Sequence, residues 1–202
     1  MKSPILLVFA LLASAVATPV LGQWSVDNDD SRLSFISIKA GSVAEVHHFE
    51  RLQGSLGGSG QFELSIDLTS VETMIPIRNE RMQEMLFNTS TYPEATLTST
   101  LDLAAIKALS AGEQIEIAAE AQLDLVGKST PLTVEAVVAR LSDDRLLVTS
   151  KQPLTLNADN LGLGEGVNAL REVAGLSSIS PAVPVSFRLT LVAGSEQSTT
   201  SY

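Results

Sequence analysis

Residues 61–68 read Gln-Phe-Glu-Leu-Ser-Ile-Asp-Leu, with an apolar side chain at every second position. Such strict alternation is typical of a β-strand that turns one face to an apolar interior and the other to solvent. Residues 183–193 repeat the pattern with Val183, Val185 and Phe187. A chain built mostly of such strands must enclose an apolar interior. The alternation leaves open whether that interior holds only side chains or also a ligand.

Eight strands are predicted along the chain, separated by turns rich in Gly, Asn, Asp and Ser. Residues 57–60 (Gly-Gly-Ser-Gly) form one such turn. The polar residues 27–30 are expected to interrupt the first strand with another turn. The predicted strands are 24–39 with that break, 44–56, 61–73, 94–103, 113–126, 132–141, 145–156 and 183–193.

Two segments have helical periodicity instead. Segment 78–87 places Met82, Met85 and Leu86 on one face, and segment 167–174 is the second candidate helix. Consecutive strands joined by tight turns, with only two short helices, favour an all-β fold, an eight-stranded antiparallel barrel. A barrel of about eight strands has room for one small ligand.

The predicted inner face carries side chains of very different size. The third and eighth strands supply large residues, whereas the fifth and sixth supply Ala119, Ala121 and Ala136. Small inward residues either leave space for a ligand or complement bulky neighbours, and the sequence does not separate these alternatives. If the barrel is a tunnel, we expect its wall to include Leu64, Ile66, Leu97, Ile117, Ala121, Leu123, Val134 and Phe187.

The chain begins with a segment that resembles a secretory signal peptide. Lys2 precedes an apolar run at 5–16, Pro19 follows it, and small residues occupy 20–22. We expect cleavage after Gly22, with 15–17 as a second candidate site. The domain organisation predicted is a signal peptide at 1–22, a barrel at 23–193 and a flexible polar tail at 194–202.

The chain has no cysteine and a formal net charge of −10. Disulfides and a lipoprotein anchor are therefore excluded, and stability must come from core burial alone. An acidic surface repels nucleic acid and anionic lipid headgroups, so we expect neither nucleic-acid binding nor stable membrane insertion.

The chain is poor in residues that commonly carry catalysis. Its two histidines, His47 and His48, are adjacent in a predicted strand, so their side chains point to opposite faces and cannot share a metal. Glu45 and His47 do share a face, but two ligands do not make a metal site, and none is predicted. Whether His47 with Phe49, or Val46 with His48, points inward stays open.

Arg78 and Arg81 lie three residues apart on the first predicted helix, so both can reach one anion. The alternative is an exposed helix on which Arg81 pairs with Glu80 or Glu84.

Several motifs resemble those of the YceI-like family, and the similarity covers essentially all of 24–192. That family has a strand ending in Ser-Val-x-Thr, an Arg-Asp helix ending in Phe, and Tyr-Pro before a strand. This chain carries Asn79 where Asp is common. The matching residues are Ser70-Val71-Glu72-Thr73, Arg78-Asn79, Leu86-Phe87, Tyr92-Pro93, Gly127, Thr130-Pro131-Leu132 and Leu161-Gly162.

The resemblance implies a lipocalin-like barrel, usually periplasmic, that holds a long isoprenoid or related amphiphilic lipid in an apolar tunnel. No cofactor is implied, since a polyprenyl phosphate or a quinone would be bound as the ligand. His47, Arg78 and Arg81 are the candidate contacts to its headgroup. The partner expected is therefore a lipid, with a homodimer left as an open alternative.

We interpret the sequence as a soluble, exported carrier or storage protein that needs no covalent chemistry. One alternative is an enzyme with Glu45, His47 and Arg78 at the barrel opening. Another is a structural barrel that acts through its acidic surface.

Overall fold

Eight lengths of antiparallel strand close into a barrel in the computed structural model, which describes residues 24–194. The strands are β1 (Trp24–Lys39), β2 (Val43–Phe49), β3 (Leu52–Leu56), β4 (Gln61–Asp67), β5 (Val71–Glu72), β6 (Glu94–Thr100), β7 (Gln114–Leu125), β8 (Lys128–Ser142), β9 (Arg145–Ser150), β10 (Leu154–Asn157) and β11 (Ala182–Ala193). Eight of these strands form the ring, in the order β1, β3, β4, β6, β7, β8, β9 and β11. Pairing of β11 with β1 closes the ring, and the predicted eight-stranded antiparallel barrel is confirmed.

The three remaining strands extend the ring at one end. Strand β2 forms a hairpin with the second half of β1, β5 pairs briefly with β2, and β10 pairs with β11. Three predicted strands are thus each divided into two: 44–56 into β2 and β3, 61–73 into β4 and β5, and 145–156 into β9 and β10.

The division of 61–73 follows from local hydrogen bonding. A 3-10 turn, Leu68–Ser70, separates β4 from β5, and the Asp67 carboxylate caps it by accepting the Thr69 N–H at 2.8 Å. The Glu50 N–H donates to the Ser70 carbonyl at 3.1 Å, so the chain between β2 and β3 bends beside this turn. Side-chain capping here replaces the ladder bonds that a continuous strand would make.

The predicted turn at 27–30 is wrong, because β1 continues through it. The register between β1 and β11 shifts between Asp27 and Arg32, so the additional residues are accommodated as an irregularity in the ladder. The Arg145 guanidinium lies 3.4 Å from the Asp27 carboxylate and 2.5 Å from that of Asp30. The Asn28 amide oxygen accepts the Leu52 N–H at 2.7 Å. These contacts give Asp27, Asn28 and Asp30 ion-pair or hydrogen-bond partners within the sheet.

The helices are α1 (Pro76–Arg81), continued by a π-helical turn (Met82–Phe87), α2 (Leu103–Ala108) and α3 (Gly164–Val173). The predicted segments 78–87 and 167–174 are helical, each with an earlier start. Helix α2 was not predicted, since 94–103 was assigned to a strand and the residues after it to no element. Asp102 caps α2 by accepting the Ala104 N–H at 2.9 Å.

Helix α2 lies at the end of the barrel opposite β2 and β10. Its Ile106 is buried, and the Ile106 carbonyl accepts from the Arg140 guanidinium at 3.4 Å. The same guanidinium lies 5.6 Å from the ring centroid of Trp24, at the start of β1. These contacts attach α2 to the sheet at this end, which we call the closed end.

Candidate ligand-binding cavity

A cavity of about 540 Å³ lies inside the barrel. Antiparallel pairing places residues that face each other on the same side of the sheet, so Leu64, Leu97 and Leu123 form one row across β4, β6 and β7. Ala119 and Ala136, from the small-residue strands, line the same space. All eight predicted wall residues lie on the cavity wall: Leu64, Ile66, Leu97, Ile117, Ala121, Leu123, Val134 and Phe187. That they contact a ligand stays a prediction.

The end of the cavity away from α2, which we call the open end, carries the charged groups. The Glu45 carboxylate accepts from Lys39 Nζ at 2.8 Å and from Arg78 Nη1 at 2.6 Å. Arg78 Nη2 also donates to the Thr73 carbonyl at 2.5 Å. The hydrogen bond from Lys39, helped by Arg78, lowers the pKa of Glu45 despite a desolvation effect that opposes it. Glu45 is therefore ionised at neutral pH and holds two cations at the opening.

The structure decides which face of the second predicted strand points inward. Glu45, His47 and Phe49 line the cavity, whereas Val46 is exposed on the outer face of β2. The alternation places these three in one row, but only the pairing with β1 shows which row is inside.

His47 is 2% exposed, and its Nε2 lies 2.8 Å from Ser37 Oγ. Its Nδ1 has no hydrogen-bond partner among the described residues. Burial, together with the positive charge of Arg78, lowers the pKa of His47 to about 4. The imidazole is thus neutral at pH 7 and is a weak base there.

Aromatic rings continue from His47 along the cavity. The Phe35 ring centroid lies 5.3 Å from that of His47 and 5.5 Å from that of Phe49, and Phe49 lies 5.9 Å from Phe87. Offsets of this size are typical of tilted aromatic pairs. The row links the polar groups of the open end to the apolar interior.

Arg78 and Arg81 both line the cavity from α1. Arg78 is held by Glu45 and Thr73, as described above. For Arg81, the structure of residues 24–194 contains no ion pair, so the alternative pairing with Glu80 or Glu84 is not found. Arg81 is therefore the cation of this helix that no carboxylate in this part of the chain neutralises directly.

The comparisons with known proteins agree with this geometry. The YceI-like domain matches residues 24–191. The chain belongs to the YceI-like family. A polyisoprenoid binding domain from Saccharophagus degradans, implicated in plant cell wall breakdown, is 40% identical, with a TM-score of 0.85 over 86% of this chain and 100% of that chain.

Two more distant solved structures share the fold. BcnA of Burkholderia cenocepacia is 21% identical, with a TM-score of 0.63 over 82% of this chain and 98% of that one. The YceI protein of Campylobacter jejuni is 12% identical, with a TM-score of 0.53 over 74% and 85% of the two chains. A search of curated proteins found no match. The resemblance stated from the sequence motifs is confirmed.

Two motif residues of this YceI-like chain, Thr73 and Asn79, stabilise the loop at the open end but do not line the cavity. Asn79 accepts from the Thr73 N–H at 2.9 Å and from its hydroxyl at 2.5 Å, and donates to Glu72 at 3.1 Å. The loop between β5 and α1 is thus fixed by side-chain hydrogen bonds. Asn79, at the position where Asp is common in the family, acts here as both acceptor and donor.

Sequence reasoning missed two polar residues of the site, Ser37 and Lys39. Both follow Phe35 at period two on β1 and line the cavity with it. The alternation in 33–39 was the signal, but it was masked by polar side chains at inward positions. Among residues 24–194, no three His, Cys, Asp or Glu side chains come together as metal ligands, and no helix is both long and apolar enough to cross a bilayer.

Proposed function

We propose that this protein is an exported, soluble carrier that holds a long-chain isoprenoid or a related amphiphilic lipid in the barrel. The observation that carries the proposal is the cavity of about 540 Å³, which is apolar along its length and polar at one end. A molecule with an apolar tail and a small polar head matches that distribution. The 40% identical Saccharophagus degradans domain, described as polyisoprenoid binding, supports this ligand class.

Burial supplies the affinity. At about 25 cal/mol per Å², removing roughly 300 Å² of apolar tail from water contributes about 7.5 kcal/mol before association costs. The barrel wall is formed before binding, which limits those costs. No covalent step is required for loading or release.

The headgroup end suits an oxygen-bearing group. Lys39, Arg78 and Arg81 offer donors to a phosphate, and His47 offers a neutral ring nitrogen to a carbonyl or hydroxyl. Both a polyprenyl phosphate and a quinone are therefore retained as ligand classes.

The enzyme alternative receives less support. A pKa of about 4 makes His47 a weak base at neutral pH, and Glu45 is occupied by Lys39 and Arg78. A barrel that acts only through its acidic surface would have no use for an apolar cavity with a polar opening. The carrier explains both features.

The test is mass spectrometry of an organic extract from protein purified from its own host. We expect a long apolar molecule in near-stoichiometric amount. Protein emptied by extraction should bind it again. A native protein that contains no lipid, and an emptied protein that binds neither polyprenyl phosphate nor quinone, would contradict the proposal.

A further inference from the structure

Four exposed apolar side chains, Met74, Ile75, Ile77 and Val173, form what we call the apolar rim. They are 81%, 42%, 52% and 44% exposed, respectively. Ile75, Ile77 and Val173 also line the cavity, so they lie where the cavity meets solvent. Exposed apolar side chains beside the opening of an apolar cavity are typical of a surface that contacts another apolar phase.

The loop that carries Met74 is held in a defined conformation. Met74 has a φ of +63°, a left-handed value that is unfavourable for a residue with a side chain. The Glu72 carboxylate accepts the Met74 N–H, and Arg78 and Asn79 bind Thr73 on the other side. A loop that only connected β5 to α1 would not need to fix its most exposed apolar side chain outward.

The charged side chains that line the cavity have a net charge opposite in sign to that of the whole protein. Among residues 24–194, five ionisable side chains line the cavity: the cations Lys39, Arg78 and Arg81, the carboxylate of Glu45, and the neutral imidazole of His47. The chain as a whole carries a net charge of −10. Exposed apolar side chains beside a cavity lined by three cations fit the apolar and phosphate layers at the surface of a phospholipid bilayer.

We propose that the apolar rim docks transiently on a phospholipid bilayer, so that the lipid passes directly between the membrane and the cavity. This inference rests on the proposed carrier function. Direct passage avoids the unfavourable exposure of a long apolar tail to water. Four partly exposed side chains give brief contact and not stable insertion, and the acidic remainder of the surface keeps other faces off the membrane.

Docking is tested without any bound ligand by site-directed spin labelling. The chain has no cysteine, so Met74→Cys gives a single labelling site at the rim. Asp143→Cys, in the exposed turn between β8 and β9, is the matched control and labels the closed end. This turn lies at the closed end because the neighbouring Asp144 carbonyl accepts the N–H of Ala193 at 2.9 Å, and Ala193 pairs with Trp24. With phosphatidylcholine vesicles, we expect the label at 74 to become shielded from an aqueous relaxation agent and the label at 143 to remain accessible. No shielding at 74, equal shielding at both positions, or shielding at 74 that grows with protein concentration in the absence of vesicles would overturn the proposal.

Transfer kinetics test whether the docked rim passes lipid directly between the protein and the membrane. A pyrene-labelled polyprenol is first loaded into the protein, and this loading step alone tests the carrier function. The loaded protein is then mixed with phosphatidylcholine vesicles, and transfer of the probe to the vesicles is followed. Direct passage requires a transfer rate that rises in proportion to vesicle concentration, whereas release through water gives a rate independent of it. Met74→Gln should slow transfer about fivefold, because one side chain no longer enters the apolar layer. Its binding of the probe should not change, since Met74 does not line the cavity.

Leu141→Gln is the matched control for transfer, because Leu141 is equally apolar, 50% exposed and absent from the cavity wall. We expect it to transfer at the parent rate. A rate independent of vesicle concentration, or equal slowing by both variants, would show that the rim is not the docking surface. Failure of the probe to bind at all would instead overturn the carrier function, while the spin labels still report docking.

Discussion

His47 is a buried ionisable side chain of the cavity wall, and its surroundings keep the imidazole neutral at pH 7. Desolvation and the nearby charge of Arg78 lower its pKa to about 4, from an ordinary value of 6.5. Between these values, the unfolded chain binds a proton that the native chain does not. Stability is therefore complete above pH 6.5 and is lost as the pH falls toward 4.

We expect the free energy of unfolding to fall by about 2 kcal/mol between pH 7 and pH 4.5 through His47 alone. Burial also lowers the pKa of His48, with help from Arg32, so His48 adds a loss of the same sign. The measurement is urea unfolding at both values for the parent, His47→Gln and His48→Gln. His47→Gln should flatten the pH dependence more than His48→Gln does. An unchanged slope in His47→Gln would show that this imidazole is not kept neutral by the fold.

Ala121 is a small residue on the cavity wall, opposite Leu132 on β8. Replacing Ala121 with Trp should occupy ligand space and weaken lipid binding at least about tenfold, which corresponds to about 1.4 kcal/mol. The strand content measured by circular dichroism should not change. Ala118→Trp is the matched control, because Ala118 is exposed on the outer face of the same strand. Equal binding by both variants would mean that Ala121 does not border the ligand.

At the scale of elements, helix α1 places Arg81 on the cavity wall at the open end. No carboxylate within residues 24–194 forms an ion pair with it. Arg81→Gln should weaken binding of a polyprenyl phosphate by about 1.5–3 kcal/mol, since a charged hydrogen bond is lost. Binding of a quinone of equal tail length should change little. Arg32→Gln, on an exposed position of β1 outside the cavity wall, is the control. Equal losses for both ligands would assign Arg81 to support of the fold.

Helix α3 approaches the π-helical turn closely through Gly166. A Cβ at this position would lie 2.7 Å from the Met85 carbonyl oxygen and 2.8 Å from Leu86 Cα. Helix propensity would favour Gly166→Ala by about 1 kcal/mol, but both obstacles are backbone atoms, so overpacking of about 1–3 kcal/mol should prevail. We expect a lower midpoint of thermal unfolding and faster ligand release. Gly57→Ala, whose Cβ would have ordinary contacts from 3.7 Å, should show neither effect.

At the scale of the whole molecule, the barrel has one end covered by α2 and an open end at which residues of α1 and α3 line the cavity. Its strands form a continuous ring, which leaves the ring itself without unpaired edges. Because the chain has no cysteine and so no disulfides, its stability depends on this closure and on the buried core. The two ends differ in what lines the cavity there, since its charged side chains Lys39, Glu45, Arg78 and Arg81 lie at the open end.

Export is a prediction about residues 1–22, which lie outside the described residues. If the segment is a signal peptide, mature protein from its own host should begin at Gln23, or at Thr18 if the second candidate site is used. Mass analysis of the intact mature chain measures this directly. Native protein that retains Met1 would contradict export by this route.

Local patterns in the sequence predicted the class of fold and eight residues of the cavity wall. Period-two alternation is a local property of an extended chain, because successive side chains leave a strand on opposite faces. Leu64 and Ile66, for example, were assigned to the inner face from β4 alone. The helical segments 78–87 and 167–174 were equally visible, since their apolar spacing is also local.

Tertiary structure decided whatever depends on residues distant along the chain. The inward face of His47 followed from the pairing of β2 with β1, and the partner of Arg78 is Glu45, 33 residues away. The polar run at 27–30 was assigned to a turn because its partners, Arg145 and the Leu52 N–H, come from other strands. Helix α2 was missed because six residues carry too short a pattern, and its place depends on Arg140 and Trp24 at the closed end. Alternation fixes which side chains share a face, but only closure of the barrel fixes which face is inside and which charges meet.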